Sequence, residues 1–204
     1  MLINFHKLKS QIFFLTLIIT VLLNSTSFSD EKNFDIEGFK LGDSLLNTYT
    51  EELLQKNKQD FWKSKRVSPI EFFPPQEASS TYDSLQFVFK SKDKERKIIG
   101  IGADRDYKEN IEDCFAEKDR LVIEMTNNLS DVKKISKSKT KKHSYDKTGN
   151  SSVTSVYFKF KSGAKIGVAC YNWSEKLTKE KEWNDHLRIS LQSKSYISFL
   201  KNAY

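Results

Sequence analysis

Residues 153–173, VTSVYFKFKSGAKIGVACYNW, constrain this chain more than any other stretch. Val156, Phe158 and Phe160 alternate with Tyr157, Lys159 and Lys161; past Ser162 and Gly163, Ala164, Ile166, Val168 and Cys170 alternate with Lys165, Gly167 and Ala169. A period of two in both arms marks a pair of half-buried strands. A two-residue loop would set Phe160 beside Lys165 and mix the faces. A three-residue loop, with Gly163 in the left-handed conformation that closes such hairpins, pairs Phe160 with Ala164, Phe158 with Ile166 and Val156 with Val168. That register is the expectation.

The first residues carry His6, Lys7 and Lys9, then an apolar run over 12–23, then Ser27-Phe28-Ser29 ahead of Asp30. A basic start, a short apolar stretch and small residues at −3 and −1 predict a secretory signal peptide over 1–29. The apolar run is shorter than the roughly 20 residues a membrane span needs. No cysteine stands near the cleavage site, which excludes a bacterial lipid anchor, and residues 30–204 contain no second hydrophobic span. The expected product is a single globular domain, periplasmic or secreted, without a transmembrane span.

Removing Lys7 and Lys9 lowers the formal charge from +7 to +5. Only five of the 34 basic residues are arginine, whereas phosphate and nucleic-acid recognition usually recruits arginine forks. Nucleic acid is therefore not an expected partner. Two cysteines in an exported chain predict one disulfide, Cys114 to Cys170. His143 and His186 lie far from both cysteines and have no ligand spacing, so no metal and no cofactor is expected, and nucleophile–base pairs are lacking.

Asp43 is the expected N-cap of a first helix with Leu45, Leu46, Tyr49, Leu53 and Leu54 on its apolar face, broken near Thr50. Residues 82–90 and 97–103 read as a second hairpin, with Leu85, Phe87 and Phe89 sharing a face with Ile99 and Ile101. Asn110 caps the strongest helix, 111–129, whose stripe of Ile111, Cys114, Phe115, Leu121, Val122, Met125 and Leu129 faces the sheet. Cys114 on that stripe and Cys170 on the inward face of the later strand agree with one another, so the disulfide staples helix to sheet. A last strand over 186–192 and a short closing helix over 194–204 complete the order. The fold class is α+β: an antiparallel sheet of about five strands, built from two helix-plus-hairpin units and a final strand, with helices packed on one face.

Three groups of residues are candidates for function. Residues 60–80 hold all three prolines and the aromatics Phe61, Trp62, Phe72 and Phe73, an irregular crossing that could bind a partner or cover one edge of the core. Residues 132–152 form a basic loop, mobile and solvated, in which Lys139, Lys141, Lys142 and His143 are the anion-binding candidates. Asp104, Asp106 and Glu109 follow a strand and could serve acid–base chemistry, although a polar turn accounts for them as well.

The run IEGFKLGDSLL, from Ile36 to Leu46, together with the hairpins and the cysteine-bearing helix, resembles uncharacterised small signal-peptide-bearing proteins of AT-rich marine alphaproteobacteria. That resemblance brings no activity. The helix-then-hairpin plan is similar, more weakly, to outer-membrane assembly lipoproteins and to secreted enzyme-inhibitor modules, but this chain lacks the lipobox cysteine of the lipoproteins. The expected function is a non-enzymatic protein-interaction module of the bacterial envelope. The alternatives are a binder of anionic polysaccharide or lipid headgroups through the lysines of 133–147, and a hydrolase-like enzyme using the carboxylates of 104–109.

Overall fold

The computed structural model describes residues 31, 33–73, 81–108 and 110–203; the expected signal peptide lies outside them. Strands β1 (Val67–Phe72), β2 (Ser84–Lys90), β3 (Ile98–Asp106), β4 (Val132–Ile135), β5 (Lys139–Lys142), β6 (Ser152–Phe160), β7 (Lys165–Asn172) and β8 (His186–Gln192) form one antiparallel sheet in the order β1-β2-β3-β8-β7-β6-β4, with β5 also on β6. The helices are α1 (Glu51–Lys56), α2 (Ile111–Asn128), α3 (Glu175–Lys181) and α4 (Lys194–Leu200). The sheet thus has eight strands rather than about five.

The β6–β7 hairpin has the register its alternation requires, with Phe158 opposite Ile166 and Val156 opposite Val168. Phe160 N–H donates to Ala164 O at 3.0 Å, and Gly163, at φ +92°, closes the loop. The β2–β3 hairpin differs from expectation in one respect. A bulge at Val88/Phe89 sets Phe89 opposite Ile98, so Ile98 enters the core and Ile99 turns to the other face.

The added strands lie at the two sheet edges. Residues 60–80 were expected to be irregular, yet 67–72 pair with β2 despite Pro69. An edge strand tolerates proline because only one of its sides must donate to the ladder. Residues 132–152 are likewise not a mobile loop over their first half: β4 and β5 run in succession along the outer edge of β6. Their lysines suit an edge, where charge discourages pairing with another chain. One half of the sheet is therefore a hairpin plus one edge strand, the other a hairpin plus two short strands in succession along its edge, and β8 fills the gap between β3 and β7.

One face holds the main core, including Ile70, Phe87, Ile101, Phe158, Ile166 and Leu191, covered by α2 and the first helical segment. That segment is a 3-10 turn over Leu45–Asn47 capped by Ser44, followed by α1 capped by Thr50. Asp43 instead accepts a hydrogen bond from Lys40 N–H at 2.8 Å. The disulfide joins Cys114 of α2 to Cys170 of β7, and both residues are fully buried. Lys118, one turn after Cys114, is also buried on this helix, and its amine reaches Asp119.

Helices do not keep to one face. α4 lies on the opposite side, where Tyr196 and Phe199 pack with Trp62, Val67 and Val88. Gly100 makes this possible: a Cβ there would stand 2.5 Å from the Tyr196 ring, so any side chain would lift α4 off β3. This second face is only partly covered by α4, and the remainder carries polar and aromatic side chains.

Candidate functional site

Residues paired across neighbouring strands share a face, so the ladder registers define rows across this second face. One row runs Lys141, Val153, Tyr171, His186, Asp106. The next runs Lys139, Ser155, Ala169, Arg188, Asp104, Ser84. A third holds Tyr157, Gly167, Ser190, Gly102, Gln86 and Glu71. Lysines thus stand at one side of the face and carboxylates at the other.

At the acidic side, Arg188 grips Asp104 with both ends of its guanidinium, Nε to Oδ1 at 2.6 Å and Nη2 to Oδ2 at 2.5 Å. Ser84 Oγ donates to Asp104 Oδ2 at 3.2 Å. Burial pushes the Asp104 carboxyl up, but the Arg188 charge and hydrogen bonds outweigh it and hold the group below the usual carboxylate range. Burial likewise opposes the Arg188 charge, and Asp104 more than restores it. A carboxylate so saturated is a poor proton carrier, because losing or gaining a proton would break the pair. His186 stacks on Tyr171 at 4.6 Å, and burial lowers its pKa against the pull of Asp104.

Glu71 is different. It is 8% exposed, and burial pushes its carboxyl up to about 7, with the Arg188 charge acting in the opposite direction. Since its ordinary value is 4.5, the folded state binds this proton more tightly than the unfolded state does. Its favourable contribution is complete below pH 4.5 and is lost as pH rises through about 7. Glu71→Gln is therefore expected to match the parent near pH 4 and to be more stable by about 1–3 kcal/mol at pH 8. Urea denaturation at the two pH values checks this; an equal difference at both would contradict it.

At the lysine side, six rings form a continuous chain of contacts. Tyr145 meets Trp183 at 5.0 Å, Trp183 meets Trp173 at 4.6 Å, and Trp173 meets His143 at 4.6 Å and Tyr171 at 5.8 Å, with His186 next. Tyr171 and Trp173 come from one end of β7, two residues apart and so on one face. Trp183 is brought back by α3, a short excursion whose ends are tied where Trp173 N–H donates to Asp185 Oδ1 at 2.7 Å. His143 and Tyr145 ride on the turn after β5. Asp146 clamps that turn, accepting from Ser151 Oγ at 2.6 Å, Ser151 N–H at 2.9 Å and Thr148 Oγ1 at 2.7 Å. Those bonds hold the Asp146 carboxyl well below the usual range. Tyr145 is 51% exposed, and the other five rings are half-buried.

The four aromatic candidates do not converge. Phe72 is in the main core, while Trp62 is 9% exposed on the opposite face beneath α4. Phe61, 43% exposed, touches Trp62 edge-on and lines a shallow cleft with Val67 and Pro69; Phe73 is 65% exposed. The basic candidates fare otherwise. Lys139 and Lys141 point to the second face, Lys142 takes the alternate side of β5, and His143 enters the ring cluster. Asp104 lies within β3 rather than in a turn, Asp106 accepts from Asn184 Nδ2 at 2.6 Å, and Glu109 is outside the described residues. Among the described residues no group of His, Cys, Asp and Glu could hold a metal, and no helix is long and apolar enough to cross a membrane.

Tyr171, Trp173 and Trp183 were missed by sequence reasoning as site residues. The available signal was that Tyr171 and Trp173 occupy the outward phase of a strand whose inward phase is already filled by Ile166, Val168 and Cys170. Comparison with protein-family models, with curated proteins and with solved structures finds no match.

Proposed function

We propose that this chain is an exported, non-catalytic binding protein of the bacterial envelope that holds a glycan on the ring cluster of its second sheet face. The observation that carries the reading is the cluster itself, in which Tyr145, Trp183, Trp173 and Tyr171 touch in series while remaining partly open. Flat apolar ring faces suit the C–H face of a sugar ring, and the exposed Tyr145 brings a phenol hydroxyl beside them. Aromatics whose role is only to fill a core are covered as Phe87 and Phe158 are, at 0% exposure. The Cys114–Cys170 disulfide is compatible with an oxidising, exported location. The saturation of Asp104 by Arg188 and Ser84 favours binding over hydrolysis.

The test is titration of tryptophan fluorescence with soluble oligosaccharides: cellohexaose, chitohexaose and a polyuronate oligomer. At least one should bind, and Trp183→Ala or Tyr145→Ala should weaken it roughly 10- to 30-fold, as loss of an anchoring aromatic does. Phe61→Ala with Phe73→Ala should leave binding unchanged. Glycan binding lost in the Phe61/Phe73 variant but retained in Trp183→Ala would move the site to the proline-containing segment. Absence of binding to all three would overturn the reading.

A further inference from the structure

The ring cluster is bordered by lysines arranged in a line. Lys141 and Lys139 head the first two rows of the second face, Tyr157 heads the third, and Lys159 with Lys165 opens the fourth. Rows succeed one another every two residues, roughly 7 Å, so the basic strip is roughly 20 Å long. It follows the β5–β6 edge beside Tyr171 and the rings beyond it.

What sets these lysines apart is their alignment on one face along one edge. Like most lysines of this chain, Lys139, Lys141, Lys159 and Lys165 meet no carboxylate among the described residues, so the aligned charges are not neutralised by a neighbour. Lys165 is instead held 4.8 Å above the Tyr157 ring, and burial together with the charges of Lys159 and Lys201 depresses its pKa. A row of unneutralised cations that repel one another is an attractive field for a counter-charged polymer.

We propose that the ligand of this face is an acidic polysaccharide, whose sugar rings rest on Trp183, Trp173 and Tyr145 while its carboxylates or sulfates run along Lys141, Lys139 and Lys159. This rests on the glycan-binding reading and narrows it. The strip is linear, which suits a linear polyanion better than a planar membrane surface. Lysine rather than arginine lines the strip, and Arg188, the arginine of its second row, is already engaged by Asp104, so among the described residues the strip itself offers no fork for the bidentate recognition usual for phosphate.

The experiment compares polygalacturonate oligomers, neutral cellohexaose, a single-stranded DNA oligomer and phosphatidylglycerol vesicles, each titrated into oxidised protein at 50 and 500 mM salt. Polygalacturonate should bind most tightly and lose about tenfold or more at high salt. Lys139→Gln with Lys141→Gln should cost about tenfold for polygalacturonate and leave any cellohexaose affinity unchanged. Urea denaturation of each variant confirms that it is folded. Cellohexaose binding as tight as polygalacturonate, insensitive to salt and to the lysine changes, would overturn the acidic specificity and leave glycan binding standing. Tighter binding of DNA or vesicles than of polygalacturonate, or no binding of polygalacturonate, would overturn the acidic specificity; glycan binding itself falls only if cellohexaose and chitohexaose fail to bind as well.

Discussion

Asp104→Ala is expected to destabilise the protein by about 3–5 kcal/mol. The cost does not come from losing an attraction alone. Arg188 stays behind, mostly covered, with its Nε and Nη2 donors deprived of the carboxylate that accepts from both. Ser84 Oγ loses its acceptor as well. Removing both charges in Asp104→Ala with Arg188→Met should recover much of the loss, because a buried pair replaced by apolar side chains leaves no orphaned ion. Denaturant midpoints of the two single variants and the double variant give the coupling directly. A cost below about 1 kcal/mol for Asp104→Ala would mean that water reaches the guanidinium after substitution.

The second large effect is expected at the disulfide. Replacing Cys114 and Cys170 with alanine frees a loop with a sequence separation of 56 residues. The chain-entropy account of such a loop gives about 4 kcal/mol, which for a chain of this size lowers the melting temperature by roughly 8–16 °C. Both sulfurs are sealed beneath α2, so a reductant should act only after unfolding. Dithiothreitol should therefore leave the native protein oxidised for long periods and reduce it promptly in urea. A change of less than about 1 kcal/mol in the double variant, or rapid native-state reduction, would show that α2 is held by packing alone and opens readily.

The parts of the fold legible in the sequence are those where one face is strictly buried. The alternation over β6 and β7 left a single loop length that kept Phe158 and Ile166 together, and the three-and-four spacing over α2 placed Cys114 where Cys170 could reach it. The edge strands were illegible for the converse reason. β1 contains a proline, tolerated because its outer side meets only the short 57–59 segment rather than a full strand, and β5 reads KTKK, because a strand paired on one side need not bury alternate residues. A bulge is equally silent, which is why Ile99 and Ile98 exchanged faces. The basic half of the candidate site was visible as composition: Lys139, Lys141 and His143 stood out. Its aromatic half was dispersed over residues 143, 145, 171, 173 and 183, and only the tie across α3 and the Asp146 clamp gather it. The first-face helices were foreseen, whereas α4 crossed to the other side because Gly100 offered a bare strip of backbone for Tyr196.

The placement of β8 governs how this chain can be assembled. The centre of the sheet is supplied by its last strand, and Arg188 closes onto a partner 84 positions earlier. Until β8 arrives, β3 and β7 each present an open ladder to the same vacancy, and neither half has the neighbour it needs to complete its inner rows. Contacts of such long range make folding slow and tie it to the whole chain rather than to either half. A partly synthesised chain accordingly has two wings and no keel, and the sheet closes only when β8 drops into the middle.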